Sequence, residues 1–315
     1  MTFQILDNKQ DCKGVFYNGQ FFFDKLPRNL DRTWSWSEHL EGYDVEFANL
    51  WCANEDIRKI CPPHLLDRYL FREQRLQAHV KAILGAKINL SDNCIFELVP
   101  RHILRHFYQV KNEITDWVID NKPKPKNYSF LVETQETLND VKKHELQIDW
   151  DNHNLLFIQD PKAKALYQRF AKVKSFINYN IFGTITGRLT TFPESFPIMN
   201  LKTEHRDIIK PTNDWFIEFD FNAAEIRTLF SLAGMDQPQE DIHEFNIQHV
   251  FSQKLNRDNA KRRFFAWLYN PNSQDEELET YYNRTKILDK HYRDGYVNTP
   301  FGRKIESDDF HALNY

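Results

Sequence analysis

The chain has 315 residues, of which 41% are hydrophobic and 15% aromatic, and its formal net charge is −4. This composition excludes a disordered chain and a uniformly basic protein, so any contact with nucleic acid has to come from local patches. No apolar run approaches the roughly 20 residues of a membrane span, and the N-terminus lacks a signal-peptide pattern. We therefore expect a soluble, cytoplasmic protein of two or more subdomains.

The four cysteines, Cys12, Cys52, Cys61 and Cys94, are irregularly spaced and form no CxxC pair. Such spacing disfavours a structural zinc site and a disulfide framework. Reduced thiols in a cytoplasm-like compartment fit best. A metal site that combines Cys52 and Cys61 with His64 is the weaker alternative.

Residues 1–60 are rich in aromatic residues and in turn signals, such as Tyr17–Phe21 and Leu40–Tyr43. They predict a small mixed α/β segment of unknown role. Asp44 and Glu46 are spaced like the carboxylate pair of proofreading exonucleases. A single pair of this kind is common by chance, so a solvated loop pair is the preferred interpretation and a nuclease is a weak alternative.

Residues 61–175 predict a helical region. Apolar residues recur with helical period from Pro63 to Leu84 and from Pro100 to Ile119, and a third, basic helix is predicted from Pro161 to Phe176. Alternating proline and lysine between Asn121 and Asn127 breaks the helical pattern and marks a boundary or linker. The basic residues off the apolar stripes most simply form solvated faces, and a minority of such faces line nucleic-acid grooves. These residues are Arg68, Arg72, Arg75, Arg101, Arg105 and Lys111.

Two segments of the C-terminal half have strand character. Asn180–Arg188 is β-prone and reaches a glycine that permits a turn before Arg188. Trp215–Asp220 predicts a strand, followed by a helix from Ala223 to Phe230. A carboxylate at a strand-to-helix junction is well placed for a metal ion, which makes Asp220 a candidate ligand.

Two cations and then two aromatic residues follow one another at intervals of four residues, namely Arg257, Lys261, Phe265 and Tyr269. In a helix this spacing places all four side chains on one face. Two cations could hold a polyanion there, and two rings could stack on a flat base. The pattern is typical of a nucleoside triphosphate site. An amphipathic helix with a basic N-terminal half is the alternative interpretation.

The segment Asp220-Phe-Asn-Ala-Ala-Glu-Ile-Arg227 resembles the first catalytic motif of family A, or polymerase-I-like, DNA polymerases, with Asn222 in place of serine. The segment Arg257–Tyr269 is similar to the fingers helix of that family, with Asn270 where glycine is usual. Further segments resemble family segments in the same order along the chain. They are Thr186–Leu189, Asn200–Leu201, Arg206–Pro211, Asp241–His243 and Gly295–Arg303.

The resemblance implies template-directed DNA synthesis, in which a nucleotidyl group passes from a dNTP to the 3′-hydroxyl of a primer by a two-metal mechanism. It implies that Asp220 and the backbone carbonyl of Phe221 bind Mg2+, and that Lys261 protonates the leaving pyrophosphate. It also implies that Glu225 fills the space that a ribose 2′-hydroxyl would need. The implied nucleotide-binding residues are Glu225, His243, Arg257, Lys261, Phe265 and Tyr269, and the implied contacts to primer-template DNA are Arg188, Asn200 and Arg303.

The fold implied by the resemblance is α+β and forms an incomplete right hand, with a helical thumb, an antiparallel-sheet palm and helical fingers. An N-terminal segment of unknown role precedes the thumb. The expected divisions are 1–60 for that segment, 61–175 for the thumb-like region, 176–235 for the first part of the palm, 236–294 for the fingers and 295–315 for the start of the palm return.

The second catalytic carboxylate of the family lies in a His-Asp-Glu turn, which this chain does not reach. Gln274–Glu276 looks superficially similar, but it follows the predicted fingers helix and is interpreted as a solvated helix start. We therefore expect a split or truncated polymerase of phage type, with little or no activity unless a second polypeptide supplies that turn. A non-catalytic DNA-binding replication protein derived from a polymerase is the alternative.

Overall fold

The chain folds into two compact units, Met1–Lys210 and Pro211–Tyr315. Both combine α-helices with small sheets that are mostly antiparallel, which confirms the α+β class. The boundary between the units falls inside the predicted first part of the palm, 176–235. The computed structural model describes residues 1–7, 14–23, 26–88, 93, 95–149, 164, 175–270, 272–300 and 302–306.

The first unit opens with a three-stranded antiparallel sheet in the order β1-β2-β3. Asn18 and Gly19 link β2 and β3 with φ angles of 46° and 75°, and two successive left-handed residues are typical of a type I′ hairpin turn. The turn signal read from the sequence is therefore confirmed. The strands of this region are β1 (Phe3–Asp7), β2 (Gly14–Tyr17), β3 (Gln20–Phe23) and the parallel pair β4 (Arg32–Thr33) and β5 (Glu46–Phe47).

Two long helices, which pack against each other, form the centre of this unit. Each begins beside a proline, Pro63 at the first position of one and Pro100 just before the other, where a missing N–H costs nothing. The predicted helices at 63–84 and 100–119 and the break after Asn121 are confirmed, whereas the helix Tyr128–Lys143 was covered only by the general prediction of a helical region over 61–175. The helices are α1 (Ala48–Trp51), α2 (Ile57–Ile60), α3 (Pro63–Gly85), α4 (Ile95–Leu98), α5 (Arg101–Asn121) and α6 (Tyr128–Lys143).

The predicted basic helix from Pro161 to Phe176 lies almost entirely outside the described residues. Its predicted end is wrong, because Phe176 forms an antiparallel bridge with Glu145. The β-prone segment Asn180–Arg188 contributes to a strand only at its first residue, and the rest is a loop. The short strands of this part of the unit are β6 (Gln147–Ile148), paired with β9 (Ile209–Lys210), and β7 (Tyr179–Asn180), paired with β8 (Thr190–Thr191).

The second unit is a cluster of helices followed by a small antiparallel sheet. The helices share one apolar core, in which Phe230, Phe264, Trp267, Leu278 and Tyr282 are almost completely buried. The helices are α7 (Ala224–Ala233), α8 (Ile242–His249), α9 (Arg257–Tyr269), α10 (Glu276–Tyr282) and α11 (Arg284–His291). The sheet consists of β10 (Tyr292–Arg293), β11 (Tyr296–Asn298) and β12 (Lys304–Glu306).

The strand predicted at Trp215–Asp220 is not formed. The segment carries no strand hydrogen bonds among the described residues, and its side chains are exposed, including 83% of Trp215 and 90% of Phe219. A strand is stabilised by a neighbour that pairs with its backbone, and the sequence pattern predicts only the tendency to be extended. The prediction failed because the pattern of this segment does not show whether a partner strand lies beside it.

Candidate nucleotide-binding site

Helix α9 has two chemically different faces. Ala260, Phe264 and Trp267 are fully buried in the core of the second unit. The four residues predicted to share a face lie elsewhere on the helix, with Arg257, Lys261 and Tyr269 exposed and Phe265 half-buried. Tyr269 is 60% exposed and is therefore not part of the buried core.

Two of these side chains form a flat surface on α9. The rings of Phe265 and Tyr269 stack with centroids 5.7 Å apart and an interplanar angle of 9°. The imidazole of His243, from α8, meets the Phe265 ring edge-on with centroids 6.0 Å apart. Of these three rings only that of Tyr269 is mostly exposed. It can stack on a nucleobase of any sequence, because every base has a π-face.

Asp241 links the first turns of α8 and α9. Its carboxylate caps α8 by accepting hydrogen bonds from the backbone N–H groups of His243 at 3.0 Å and Glu244 at 3.2 Å. It also accepts hydrogen bonds from Arg257, at 2.8 Å from Nη2 and 3.3 Å from Nε. The hydrogen bond from Arg257 is the main reason that the pKa of Asp241 is lowered. The sequence reading did not identify this contact, although an aspartate at a helix start was a usable signal.

His243 is only 4% exposed, and its Nδ1 makes no hydrogen bond to the part of the chain that the structure describes. Burial lowers the pKa of His243, and the nearby cations Arg257 and Lys261 lower it further against the opposing effect of Asp241. The imidazole is therefore neutral at pH 7. The triphosphate contact expected of His243 stays a prediction, since the ring that would make it is buried in the structure.

Asp220 and Phe221 are exposed shortly before α7, and Glu225 lies in the first turn of that helix. Arg227 belongs to the segment that resembles the polymerase motif, but the resemblance gives it no role. In the structure it holds the loop before α7 in place. It donates from Nε to the carbonyl of Asn222 at 2.9 Å and from Nη1 to the carbonyl of Pro238 at 3.1 Å. Within the described ranges, no hydrogen bond or ion pair joins Asp220 to the cations of α9.

The donor atoms at this loop suit Mg2+ in part. Mg2+ prefers oxygen ligands and is commonly held by one or two carboxylates with waters and substrate phosphates. The Asp220 carboxylate and the Phe221 carbonyl are ligands of this kind. The described residues contain no group of three or more His, Cys, Asp or Glu side chains that could hold a metal ion. A two-metal site therefore needs a carboxylate from beyond these residues.

The three predicted DNA contacts lie in different units. Arg188 and Asn200 belong to the first unit, where Arg188 follows Gly187, whose φ is 87°, and Asn200 is exposed in a short 3-10 helix. Arg303 belongs to the second unit and is half-buried just before β12. Burial lowers the pKa of Arg303.

Two arginines absent from the sequence prediction hold α9 against its neighbours. Arg263 binds both oxygens of Asp275, at 2.6 and 2.9 Å, and lies 4.4 Å from the centroid of the Phe251 ring. Arg284 donates to the carbonyl of Trp267 near the C-terminal end of α9 and stacks on the Trp267 ring. Cations at a helix C-terminus stabilise the unpaired carbonyls and the helix dipole.

The environment of Asp275 corrects one prediction. Its carboxylate caps α10 by accepting a hydrogen bond from Leu278 N at 3.2 Å, so Gln274–Glu276 does contain a helix start. The expectation of a solvated start holds for Gln274 and Glu276, which are exposed, but not for the Asp275 side chain, which is only 10% exposed in its ion pair with Arg263.

The remaining candidates of the sequence prediction lie in the first unit. Cys52 is half-buried and Cys61 buried, both as free thiols, and burial raises the pKa of Cys52 to about 11. Cys12 and Cys94 lie outside the described residues. Glu46 of the weak nuclease alternative forms an ion pair with Lys124 at 2.5 Å, while Asp44 is exposed.

The comparisons with known proteins give no family. The chain matches no model of a protein family and no curated protein. None of the described helices combines the length and the apolar character needed to cross a membrane. The function proposed below therefore rests on the residues and their geometry.

Proposed function

We propose that this chain forms the nucleotide-binding part of a DNA polymerase of the family A type, which copies a template by adding dNTPs to a primer. The observation that carries the proposal is the exposed face of α9, where Arg257 and Lys261 precede the stacked rings of Phe265 and Tyr269. The order of charge and ring along this face matches the order of triphosphate and base in a nucleotide. Under this proposal the two units supply the thumb, palm and fingers of a right hand.

The cations act on the triphosphate. Arg257 offers a planar fork that binds two phosphate oxygens, and Lys261 offers a compact charge. Lys261 also donates a proton to the leaving pyrophosphate, which makes it the catalytic residue of this helix. Asp241 holds the guanidinium of Arg257, so the phosphates compete with a carboxylate for it.

The rings and Glu225 act on the nucleoside. Phe265 stacks on the incoming base or ribose, and Tyr269 lies beneath the template pair; both contacts tolerate any sequence. Glu225, in the first turn of α7, excludes a ribose by occupying the position of its 2′-hydroxyl. Arg188, Asn200 and Arg303 contact the primer-template duplex.

Asp220 and the carbonyl of Phe221 hold Mg2+ in this proposal. When bound, the metal activates the primer hydroxyl and stabilises the charge of the leaving group. The chain's own contribution is to place one carboxylate and one carbonyl oxygen at the end of the segment that precedes α7. Arg227 fixes that segment through the carbonyl of Asn222.

The exposed segment Trp215–Phe221 supports a second polypeptide as a partner. Five of its seven side chains are large and apolar and at least 63% exposed, namely Trp215, Phe216, Ile217, Phe219 and Phe221. An extended apolar segment without a neighbouring strand can pair with a strand of another chain. We propose that this strand carries a His-Asp-Glu turn and brings a second carboxylate next to Asp220.

Formation of a ternary complex tests the function. Binding of a labelled primer-template is measured by fluorescence anisotropy with Mg2+, with and without the dNTP that matches the template. The proposal expects the matched dNTP to tighten DNA binding, and Lys261→Gln to abolish that effect. Lys286→Gln, an exposed lysine of α11, is the control with the same change in charge.

The outcomes separate the two candidate functions. A matched dNTP that leaves DNA binding unchanged would favour the non-catalytic replication protein. The partner is tested separately by adding a fragment with the His-Asp-Glu turn and assaying primer extension. Phe219→Ser is expected to prevent the gain in activity, and a fragment that gives no gain would contradict the split enzyme.

A further inference from the structure

The first unit carries a cationic face on its two long helices. This face consists of three residues of α3, Phe71, Arg72 and Arg75, and three residues of α5, His102, Arg105 and His106. Partial desolvation lowers the pKa of His106, and the positive charges of Arg72, Arg105 and Arg75 lower it further. Tyr69 of α3 and Phe107 of α5 pack with ring centroids 5.9 Å apart, which brings the neighbouring turns of the two helices together.

The arginines of this face have no carboxylate partner among the residues that the structure describes. Within the described residues, Arg58 pairs with Glu73 and Arg68 with Glu113. No ion pair of that kind involves Arg72, Arg75 or Arg105 in the described part of the chain. Cations without counter-charges create a local positive potential that attracts anions.

The charge order of α5 supports the same conclusion. The N-terminal half of the helix, from Arg101 to Asn112, contains no acidic residue, while Glu113, Asp116 and Asp120 follow in the C-terminal half. Cations at a helix N-terminus and anions at its C-terminus oppose the helix dipole. The distribution of charges along α5 therefore does not stabilise the helix, and its stability is not the reason for that distribution.

Rings alternate with the charges. Phe71 is 51% exposed, and the guanidinium carbons of Arg72 and Arg75 lie 5.3 and 5.8 Å from its ring centroid. The imidazoles of His102 and His106 are exposed with centroids 6.5 Å apart. A duplex offers mainly phosphates to such a surface, whereas a single strand offers both phosphates for the cations and unstacked bases for the rings.

We propose that the cationic face binds single-stranded nucleic acid, with phosphates on Arg72, Arg75 and Arg105 and bases on Phe71 and the two imidazoles. The contact does not depend on the proposed polymerase function, because it uses no residue of the second unit. It gives the chain a second nucleic-acid site, which needs neither dNTP nor Mg2+.

The test measures binding of a labelled single-stranded oligonucleotide to the full chain by fluorescence anisotropy, without nucleotide or metal, at several salt concentrations. A double variant that combines Arg75→Gln with Arg105→Gln, two exposed side chains, is expected to weaken binding of the oligonucleotide at least tenfold. The double variant should also lower the slope of log affinity against log salt by about 0.7 for each lost phosphate contact. Lys126→Gln with Lys290→Gln removes the same charge elsewhere and is expected to leave binding unchanged.

The ring contact is tested by Phe71→Ala, which keeps every charge. If a base stacks on Phe71, this variant should bind the single strand about fivefold more weakly or worse. The variant should bind a duplex of equal charge as well as the parent chain does. Equal binding of duplex and single strand, unchanged binding in the double variant, or binding only to anionic lipid vesicles would each overturn the proposal.

Discussion

Asp241 and Arg257 form a two-point ion pair, with Nη2–Oδ2 and Nε–Oδ1 distances of 2.8 and 3.3 Å. The same carboxylate caps α8 through the N–H groups of His243 and Glu244. One side chain therefore sets the start of α8 and the position of the guanidinium on α9. In the proposed function it also competes with the triphosphate for Arg257.

Replacing Asp241 separates its two effects. Asp241→Ala removes the cap and is expected to lower the free energy of unfolding by about 1 kcal/mol, measured by urea denaturation. Asp241→Asn keeps a capping oxygen but removes the charge. Because the phosphates then compete with a neutral group, we expect dNTP binding to tighten by up to about fivefold. Weaker binding would instead show that the ion pair positions Arg257.

The two faces of α9 should respond differently to truncation. Phe264 is fully buried, and Phe264→Ala is expected to cost about 3–5 kcal/mol of unfolding free energy. Tyr269→Ala, on the exposed face, should cost less than about 1 kcal/mol but should reduce the effect of a matched dNTP on DNA binding. A Tyr269→Ala variant that is as unstable as Phe264→Ala would assign Tyr269 to the core.

Acid should remove one stabilising contact of the second unit. Hydrogen bonds from Ser252, followed by that from Arg263, lower the pKa of Glu277 from 4.5 to about 2. A folded-state pKa below the unfolded one means that the stabilisation is present above pH 4.5 and is lost as the pH falls toward 2. Glu277→Gln is expected to cost about 1 kcal/mol at pH 7, since the pair is partly exposed. That difference from the parent chain should vanish in urea titrations near pH 2.

Glu225 is predicted to select deoxyribonucleotides. Glu225→Ala should increase the effect of a matched ribonucleotide on primer-template binding by about tenfold, because space for the 2′-hydroxyl opens. Asp236→Ala, an exposed carboxylate after α7, is the control. A variant that discriminates as well as the parent chain would remove Glu225 from the site.

Local sequence determined the parts of this fold that need no distant partner. The helical period predicted α3, α5 and α9, and Asn18-Gly19 predicted the turn between β2 and β3, because helix hydrogen bonds and turn angles involve residues close in the chain. The four-residue spacing also placed Arg257 and Tyr269 on one face of α9. Which face of that helix would be buried was not decided by the spacing.

Only the tertiary structure decided that Trp267 and Phe264 enter the core while Tyr269 stays exposed. It also decided that Trp215–Asp220 has no neighbouring strand, and that Arg263 and Asp275 bind each other across two helices. Each of these depends on groups far apart in the chain, whose meeting is a property of packing and charge in three dimensions. The residue types for a nucleotide site are thus visible in the sequence, whereas their exposure and their partners are not.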